Sequence, residues 1–313
     1  MSYNAFTLRA TVAGFVGLAV LTAASPPPSA PSPSDRTERF DYRGDTRGFI
    51  QSLPASLGKK DKLIPVITAL ATGYPKEFQG LEVGPDERVM VRAAGQKFVY
   101  DDGTTKTFEE RLDHPDIEDM FYQTYPLTNP TDRLPKDFDP GRYRMEAFFL
   151  ALYGASKAEV ARNCVAVEFC GSTVKFNARC SAADALRAVS SDLDKVFAQK
   201  PELRVYVQKL AGTFNWREIA GTDRLSNHSF GTAIDLNVAK AAYWRWQPPA
   251  KLETFSRRNW PNEIVEAFER HGFIWGGKWW HFDTMHFEYR PEIIAYARAN
   301  PAPIPDSKSP PPK

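Results

Sequence analysis

The spacing of apolar residues predicts three helices after residue 140. Apolar positions recur every three or four residues over 141–153, 182–200 and 262–270. The second helix follows Ser181, which resembles the start of a capping box with Asp184. Each apolar stripe is expected to face a core, so the aromatic residues of the first helix indicate packing and not a cofactor site.

Alternation of apolar and polar residues predicts strands elsewhere. Residues 89–91 and 98–100 flank a turn and predict a hairpin in the first half of the chain. A second hairpin is predicted around the turn candidate Gly171-Ser172-Thr173, and 232–237 and 286–290 alternate as single strands. The chain is therefore expected to mix helices with strands.

The second predicted hairpin contains the three cysteines of the chain. A turn centred on Ser172 would place Cys164 opposite Cys180, and an oxidising compartment would allow a disulfide between them. Cys170 would then be an odd thiol. Three buried free thiols are the alternative. None of the cysteines has histidine or cysteine neighbours at zinc-finger spacing, so we do not interpret them as metal ligands.

The two ends of the chain differ from the segments between them. In residues 1–24, a stretch without charge follows Arg9 and ends in small residues, which is typical of a secretory signal peptide. An uncleaved amino-terminal anchor is the alternative. Residues 25–35 and 299–313 are rich in proline and predict an extended linker and a tail. Export is therefore expected.

Composition argues against two kinds of protein. Forty basic and 38 acidic residues give a formal net charge of +2, so nucleic acid is not an expected partner. Hydrophobic residues make up 42% of the chain, which is typical of globular proteins, and no membrane span is expected beyond the amino-terminal stretch. Residues 36–140 offer structure but little chemistry, and His114 is interpreted as a solvated loop residue.

Four of the five histidines lie within 228–286, the first of them in the stretch SNHSFGTAIDLN. Alternation places Asp235 on the polar face of a strand whose other face is apolar. His228 is seven residues earlier, which is the wrong parity for the same face. A turn at Gly231 would allow His228 to reach the Asp235 face.

The second polar stretch is HGFIWGGKWWHFDTMHFEYR, residues 271–290. His286 and Glu288 share one face of a predicted strand. Asp283 has the wrong parity for that face, so a bend must bring it near His286. His271 lies at a predicted helix end capped by glycine, and we expect it to interact with the last carbonyl groups.

Together, His228, Asp235 and His286 offer two imidazoles and one carboxylate. This ligand set suits one zinc ion with a fourth position left for water, which is the arrangement of catalytic zinc sites. Asp283 is the candidate to accept a proton from that water. Each residue alone would more often be structural, so the prediction depends on the combination.

The two stretches carry a family resemblance. SNHSFGTAID and DTMHFE resemble the SxHxxGxAxD and DxxHFE motifs of the VanY-like D-alanyl-D-alanine carboxypeptidase family of zinc peptidases, which includes phage L-alanyl-D-glutamate endopeptidases. WGGKW, residues 275–279, matches a turn that precedes the second motif in many members. The resemblance extends from about Thr213 to Arg290. It implies that the two histidines and the aspartate named above bind zinc and that Asp283 is the catalytic acid.

The resemblance implies further roles near the metal. His281 matches a histidine with which some members polarise the scissile carbonyl, although packing against the adjoining tryptophans is the alternative. Arg217 is the candidate to hold a substrate carboxylate or the oxyanion, with Arg224 in reserve, because Phe-Asn-Trp-Arg here replaces the usual Gly-Tyr-Arg. Glu288 is expected to support His286 as a hydrogen-bond acceptor.

For the fold, the resemblance implies an α+β domain over 141–298, in which a small antiparallel sheet carries the zinc site and helices pack on one side. Residues 36–140 form an unassigned α/β region before it. The expected function is that of a D-Ala-D-Ala carboxypeptidase that cleaves peptidoglycan stem peptides in the periplasm or at the cell wall. A murein L,D- or D,D-endopeptidase, an exported dipeptidase and a non-catalytic wall-binding module are the alternatives.

Overall fold

The computed structural model describes most of the chain, in five stretches: 37–60, 62–130, 133–252, 254–257 and 259–305. The predicted signal or anchor over 1–24, the linker over 25–35 and the last part of the tail lie outside these stretches. Within them, no helix combines the length and the apolar character that crossing a membrane requires.

The strands of the described residues form three small antiparallel sheets. The first contains β1 (Glu38–Asp41), β2 (Phe78–Val83), β3 (Val89–Ala93) and β4 (Gln96–Val99). The second is the hairpin of β5 (Cys164–Phe169) and β6 (Ser172–Asn177). The third has the order β7-β8-β10-β9, with β7 (Leu210–Gly212), β8 (Ala233–Asn237), β9 (Phe273–Trp275) and β10 (His286–Tyr289).

Helices lie before, between and after these strands along the chain: α1 (Thr46–Ser52), α2 (Leu63–Gly73), α3 (Phe108–Asp113), α4 (Glu146–Tyr153), α5 (Lys157–Asn163), α6 (Ala182–Gln199), α7 (Pro249–Leu252), α8 (Asn262–Arg270) and α9 (Pro291–Ala299). The predicted mixture of helices with small antiparallel sheets is confirmed. The hairpin predicted over 89–100 is also confirmed as β3 and β4, which pair around a turn at Ala94 and Gly95.

The third sheet separates an apolar face from a polar one. β8 pairs with β10 so that His286 lies opposite Asp235. On the apolar face, Phe287 stacks on Phe268 of α8 with 4.0 Å between the ring centroids, and Ile234 is completely buried. Because neighbouring strand residues point to opposite faces, this packing directs the polar residues of β8 and β10 away from the core.

The predicted centre of the cysteine hairpin is wrong. β5 and β6 are joined by Cys170 and Gly171, which both have a positive φ, of 50° and 89°. Two such residues in a row form the tight turn that suits the twist of a hairpin. Cys164 therefore pairs with Asn177, Cys180 lies beyond the strand, and all three cysteines are free thiols.

Two predicted helix starts are also corrected. The capping box at Ser181 does not form, because the residue has a left-handed backbone with φ of 61° and its side chain makes no capping hydrogen bond. The helix predicted over 141–153 begins only at Glu146. Gly141, with φ of 85°, turns the chain, and the residues between it and the helix run without regular structure.

The region before residue 140 packs against the last helix. From Thr37 onward the chain forms one compact unit. Gly73 at the end of α2 touches the start of α9, where a Cβ at position 73 would lie 2.6 Å from the backbone nitrogen of Glu292. The neighbouring Tyr74 donates a hydrogen bond of 2.7 Å to the Glu292 carboxylate. The predicted domain boundary at residue 140 stays a prediction.

Gly73→Ala is expected to lower the free energy of unfolding by about 1–3 kcal/mol, because two rigid backbones would have to separate. Urea unfolding measures the loss. Gly58→Ala is the matched control, since a Cβ at Gly58 would meet nothing within 4 Å. Equal stability of the two variants would contradict close packing of α2 on α9.

Candidate active site

Three metal-ligand side chains converge on the polar face of the third sheet. His286 Nδ1 lies 2.8 Å from Asp235 Oδ1, and His228 Nε2 lies 3.1 Å from Asp235 Oδ2. The two imidazole nitrogens are 3.2 Å apart. The structure thus brings together the three residues that the sequence predicts as metal ligands, and their role as ligands stays a prediction.

A glycine turn places the first histidine. His228 lies in a short turn that ends at Gly231, whose φ is 66°. A Cβ at position 231 would lie only 2.6 Å from Cys164 Sγ, so both the backbone and the space around it favour glycine. The turn reverses the chain just before β8 and brings His228 back over Asp235. A turn was expected here, because the odd separation of seven residues would otherwise place the two side chains on opposite faces of the strand.

The hydrogen bonds around the two histidines suit a metal ion. His228 Nδ1 donates to the Thr213 carbonyl oxygen at 2.5 Å, and His286 Nε2 donates to Glu288 Oε1 at 2.9 Å. Each bond leaves the other ring nitrogen directed at Asp235. In a tetrahedral site with bonds of about 2.0–2.2 Å, donor atoms are about 3.3–3.6 Å apart. The observed separations of 2.8–3.2 Å are slightly shorter, so small side-chain shifts would complete such a site.

His286 is held as a cation in the protein without metal. Burial lowers the pKa of this imidazole, but hydrogen bonds to Asp235 and Glu288 outweigh burial and raise the pKa to about 10. Burial raises the pKa of Asp235, but the adjacent His228 imidazole, and then the hydrogen bond from His286, outweigh burial and hold this pKa well below its usual value. A metal ion must therefore displace the Nδ1 proton that His286 donates to Asp235.

Zinc is expected to bind more tightly as pH rises. Below its raised pKa, His286 carries a proton that zinc binding releases, so the apparent Kd should fall about tenfold per pH unit between about pH 6 and 8. Competition with a zinc indicator, corrected for protonation of the indicator, measures this slope. Calorimetry in two buffers of different ionisation enthalpy counts the released protons. A Kd for zinc that does not change with pH would contradict the predicted displacement of the His286 Nδ1 proton.

Asp283 lies beside the three candidate ligands in a partly buried position. Its backbone nitrogen donates to the Gly276 carbonyl, and a bridge to Tyr243 holds it outside β10, which is the bend that its parity requires. Burial, and secondarily the charge of Asp235, raises the pKa of Asp283 to about 6 against the opposing effect of His286. Within the described residues, Asp283 Oδ1 has no hydrogen-bond partner. A partly buried carboxyl with a raised pKa suits proton transfer.

Two arginines hold the carboxylate that supports His286. Arg144 Nη1 donates to Glu288 Oε1 at 2.9 Å, and Arg290 Nη1 lies 3.7 Å from Oε2. Burial alone would raise the pKa of Glu288, but Arg144 and then His286 lower it to about 2. Glu288 is therefore ionised and accepts the hydrogen bond from His286 Nε2, as the sequence predicts.

The two residues predicted to contact substrate both line the cavity of about 100 Å³ beside the ligands. His281 donates from Nδ1 to Asp139 Oδ2 at 2.6 Å. Arg217 is exposed, and its backbone nitrogen is fixed by Ser229 Oγ at 2.9 Å. The reserve candidate Arg224 instead lies 3.1 Å from Asp113 and lines a neighbouring cavity of about 670 Å³.

The remaining histidines lie away from these ligands. His271 makes the predicted contact with the last carbonyl groups of α8 through its backbone nitrogen, which donates to the Phe268 carbonyl at 3.1 Å. Its ring Nε2 lies 3.0 Å from Asp192 Oδ2 on α6. His114 is exposed at the end of α3.

Sequence reasoning missed Asp139, Arg142 and Arg144. Apolar periodicity assigned the two arginines to a helix, whereas the structure places them before α4 and in the wall of the cavity. A turn signal was present in Pro140-Gly141, directly before the arginines. It indicates an interruption of the helix but not which distant residues the arginines meet.

Comparison with known proteins supports the family resemblance that the two sequence motifs indicate. A family model described as D-alanyl-D-alanine carboxypeptidase matches residues 220–289. This segment contains both motifs, so the predicted family resemblance is confirmed for it. Searches of curated proteins and of solved structures gave no match. The family match indicates a peptidase, while Arg217, Asp139 and Arg144 lie outside the matched segment.

Proposed function

We propose that the protein is an exported, zinc-dependent D-Ala-D-Ala carboxypeptidase that acts on peptidoglycan stem peptides. The observation that carries the proposal is the convergence of His228, Asp235 and His286 beside the partly buried carboxyl of Asp283, within a segment that matches a peptidase family. Two imidazoles and one carboxylate leave a fourth position for water, which a purely structural zinc site would fill with a protein ligand.

A single zinc ion in this site would supply an acidified water and polarise the peptide carbonyl. Asp283 accepts the proton of the attacking water and returns it to the leaving amine. Its raised pKa keeps the carboxyl close to the balance between acid and base that both steps need. Glu288 and the Thr213 carbonyl hold the two imidazoles still while the proton moves.

Arg217 and His281 are the candidates to contact the substrate directly. Arg217 is exposed in the cavity wall, and only a long hydrogen bond of 3.4 Å joins its guanidinium to the Glu218 carbonyl, so it can turn to hold a terminal carboxylate or the oxyanion. His281 faces the same cavity and is the second donor for the oxyanion. Trp244 and Trp279 line the cavity too and limit the entry of bulk water.

Export to the periplasm or cell wall is part of the proposal. It depends on the composition of residues 1–24, which resemble a signal peptide or anchor, and on the Pro-rich linker that follows them. Substrates with D-amino acids at the cell wall would then be within reach of the peptidase.

Digestion of purified stem peptides tests the function. The chain from Asp35 onward is incubated with a pentapeptide ending in D-Ala-D-Ala, with and without a chelator, and the products are identified by mass spectrometry. Loss of one terminal alanine that the chelator prevents is the expected result. An internal cut would make the protein an endopeptidase. No product in the presence of stoichiometric zinc would favour a wall-binding module.

A further inference from the structure

His281 is fixed by a segment that lies outside the matched family segment. Its ring donates from Nδ1 to Asp139 Oδ2 at 2.6 Å, and its backbone nitrogen donates to Oδ1 of the same carboxylate at 3.0 Å. Both oxygens of Asp139 are therefore directed at one residue, 142 positions away along the chain. The side chain of Asp139 is completely buried, whereas that of His281 remains 13% exposed towards the cavity.

The carboxylate is held in place and ionised. Gln123 Oε1 accepts a hydrogen bond of 2.7 Å from the Asp139 backbone nitrogen, and Arg142 Nη1 donates to Oδ2 at 2.9 Å. Burial raises the pKa of Asp139, but Arg142 and His281 outweigh burial and hold the pKa below its usual value. An ionised carboxylate can only accept, so the proton of this contact belongs to His281 Nδ1.

Further contacts lock the two segments together. Trp280 donates its backbone N–H to the Phe138 carbonyl at 2.8 Å, and the Trp279 indole donates to the Pro140 carbonyl at 2.9 Å. The two acceptors, Phe138 and Pro140, are the neighbours of Asp139 on either side along the chain. The segment before Gly141 therefore packs behind Trp279 and His281, which line the cavity.

Aromatic rings fix the plane of the imidazole. Phe108 stacks on His281 with 5.5 Å between the ring centroids, and Trp244 meets the ring edge-on at 4.6 Å. Within the described part of the chain, no hydrogen bond to His281 Nε2 is present. With Nδ1 occupied and the ring plane fixed, Nε2 is the nitrogen left to meet a ligand in the cavity.

We propose that Asp139 is a positioning residue that holds His281 with Nε2 towards the scissile carbonyl. This inference depends on the proposed peptidase function. A carboxylate at Nδ1 selects the tautomer, orients the ring and stabilises the imidazolium form, whose Nε2–H donates to an oxyanion. The region before residue 140 thereby supplies part of the active site, although the family model does not extend to it.

Kinetics of matched variants test the role of Asp139. Asp139→Asn keeps the shape of the side chain and is expected to lower kcat about 10- to 100-fold with KM nearly unchanged. In a His281→Ala background the same substitution should change kcat by less than about twofold, because the residue that it positions is absent. Asp137→Asn removes a charge from the same turn without a hydrogen bond to His281, and it should leave both constants unchanged.

Two kinetic results would overturn the proposal: an unchanged kcat in Asp139→Asn, or an equal loss with and without His281. Zinc content and thermal unfolding of each variant report on folding. If Asp139→Asn does not fold, nitrogen NMR of the wild-type protein, assigned with His281→Ala, decides the question. A proton on Nδ1 of His281 supports the proposal, and a proton on Nε2 alone overturns it.

The NMR measurement also separates this inference from the proposed function. It reads the Asp139 hydrogen bond without turnover. A wild-type chain that cleaves no stem peptide but carries the Nδ1 proton would therefore count against the peptidase and not against the contact.

Discussion

Asp283→Asn is expected to abolish most hydrolysis while zinc still binds. Loss of a positioned proton acceptor lowers kcat by about 10²- to 10⁴-fold. Asn has nearly the same shape as Asp but cannot accept the proton of the attacking water. Because Asp283 lies beside the three candidate ligands and is not one of them, the metal content should stay near one zinc per chain.

The pH profile of the wild-type rate provides a second measure of Asp283. The base must be ionised, and burial raises its pKa to about 6 in the protein without metal. A bound dication lowers the pKa of a neighbouring carboxyl, so the acid limb of kcat should lie at or below that value. The limb should be absent from the residual rate of Asp283→Asn. Unchanged turnover in the variant would remove Asp283 as the base.

His228→Ala is expected to remove both zinc binding and activity. Structural zinc sites with four protein ligands bind with about 10–16 kcal/mol, which is about 3 kcal/mol or more per ligand. Loss of one ligand should therefore raise the Kd for zinc more than 100-fold. Excess zinc should restore little activity, because the remaining ligands no longer fix the ion beside Asp283.

His271→Ala is the matched control for the ligand variant. It removes the same side chain from a contact with Asp192 on α6, away from the three candidate ligands. Zinc content measured by metal analysis after dialysis should be unchanged in this control and reduced in His228→Ala. Equal zinc content in the two variants would mean that His228 is not a ligand.

Local patterns in the sequence predicted the centre of the site. Alternation along β8 and β10 put Asp235 and His286 on polar strand faces, and pairing of these strands makes them neighbours. The wrong parity of His228 required a turn, and Gly231 provides it. These features depend on neighbouring residues in the chain, which is why periodicity and glycine placement could reveal them.

Contacts between distant segments could not be predicted in the same way. The partners of Asp139 and Arg144 lie 142 and 144 positions away, and no local spacing encodes such pairs. Apolar periodicity over 141–153 even predicted a helix at Arg144. This periodicity comes mainly from the residues of α4, which begins at Glu146, and it says nothing about the partner of Arg144. Local sequence patterns thus predict the candidate metal ligands, whereas the residues that support them are recognised only from contacts between distant segments.

The register of the cysteine hairpin failed for a different reason. A turn at Cys170 and Gly171 and a turn centred on Ser172 differ in strand pairing by three residues, an odd shift that exchanges the faces of the two strands. Only the first pairing places Val165 and Val167 opposite Phe176 and Val174. Gly171 favours the same turn, because it supplies a left-handed residue for a two-residue turn. Strand pattern and turn chemistry thus both favour the observed register, and the error lay in centring the turn on Ser172.

Titration of the metal-free protein with zinc tests the central claim most directly. Zinc is removed with a chelator, returned in steps, and the rate of release of D-alanine from a stem pentapeptide is followed at each step. The predicted result is a rate that rises linearly and stops rising at one zinc per chain, with no rise in His228→Ala. Full activity in the metal-free protein, or a rate that keeps rising well beyond one equivalent, would contradict a single catalytic zinc held by His228, Asp235 and His286.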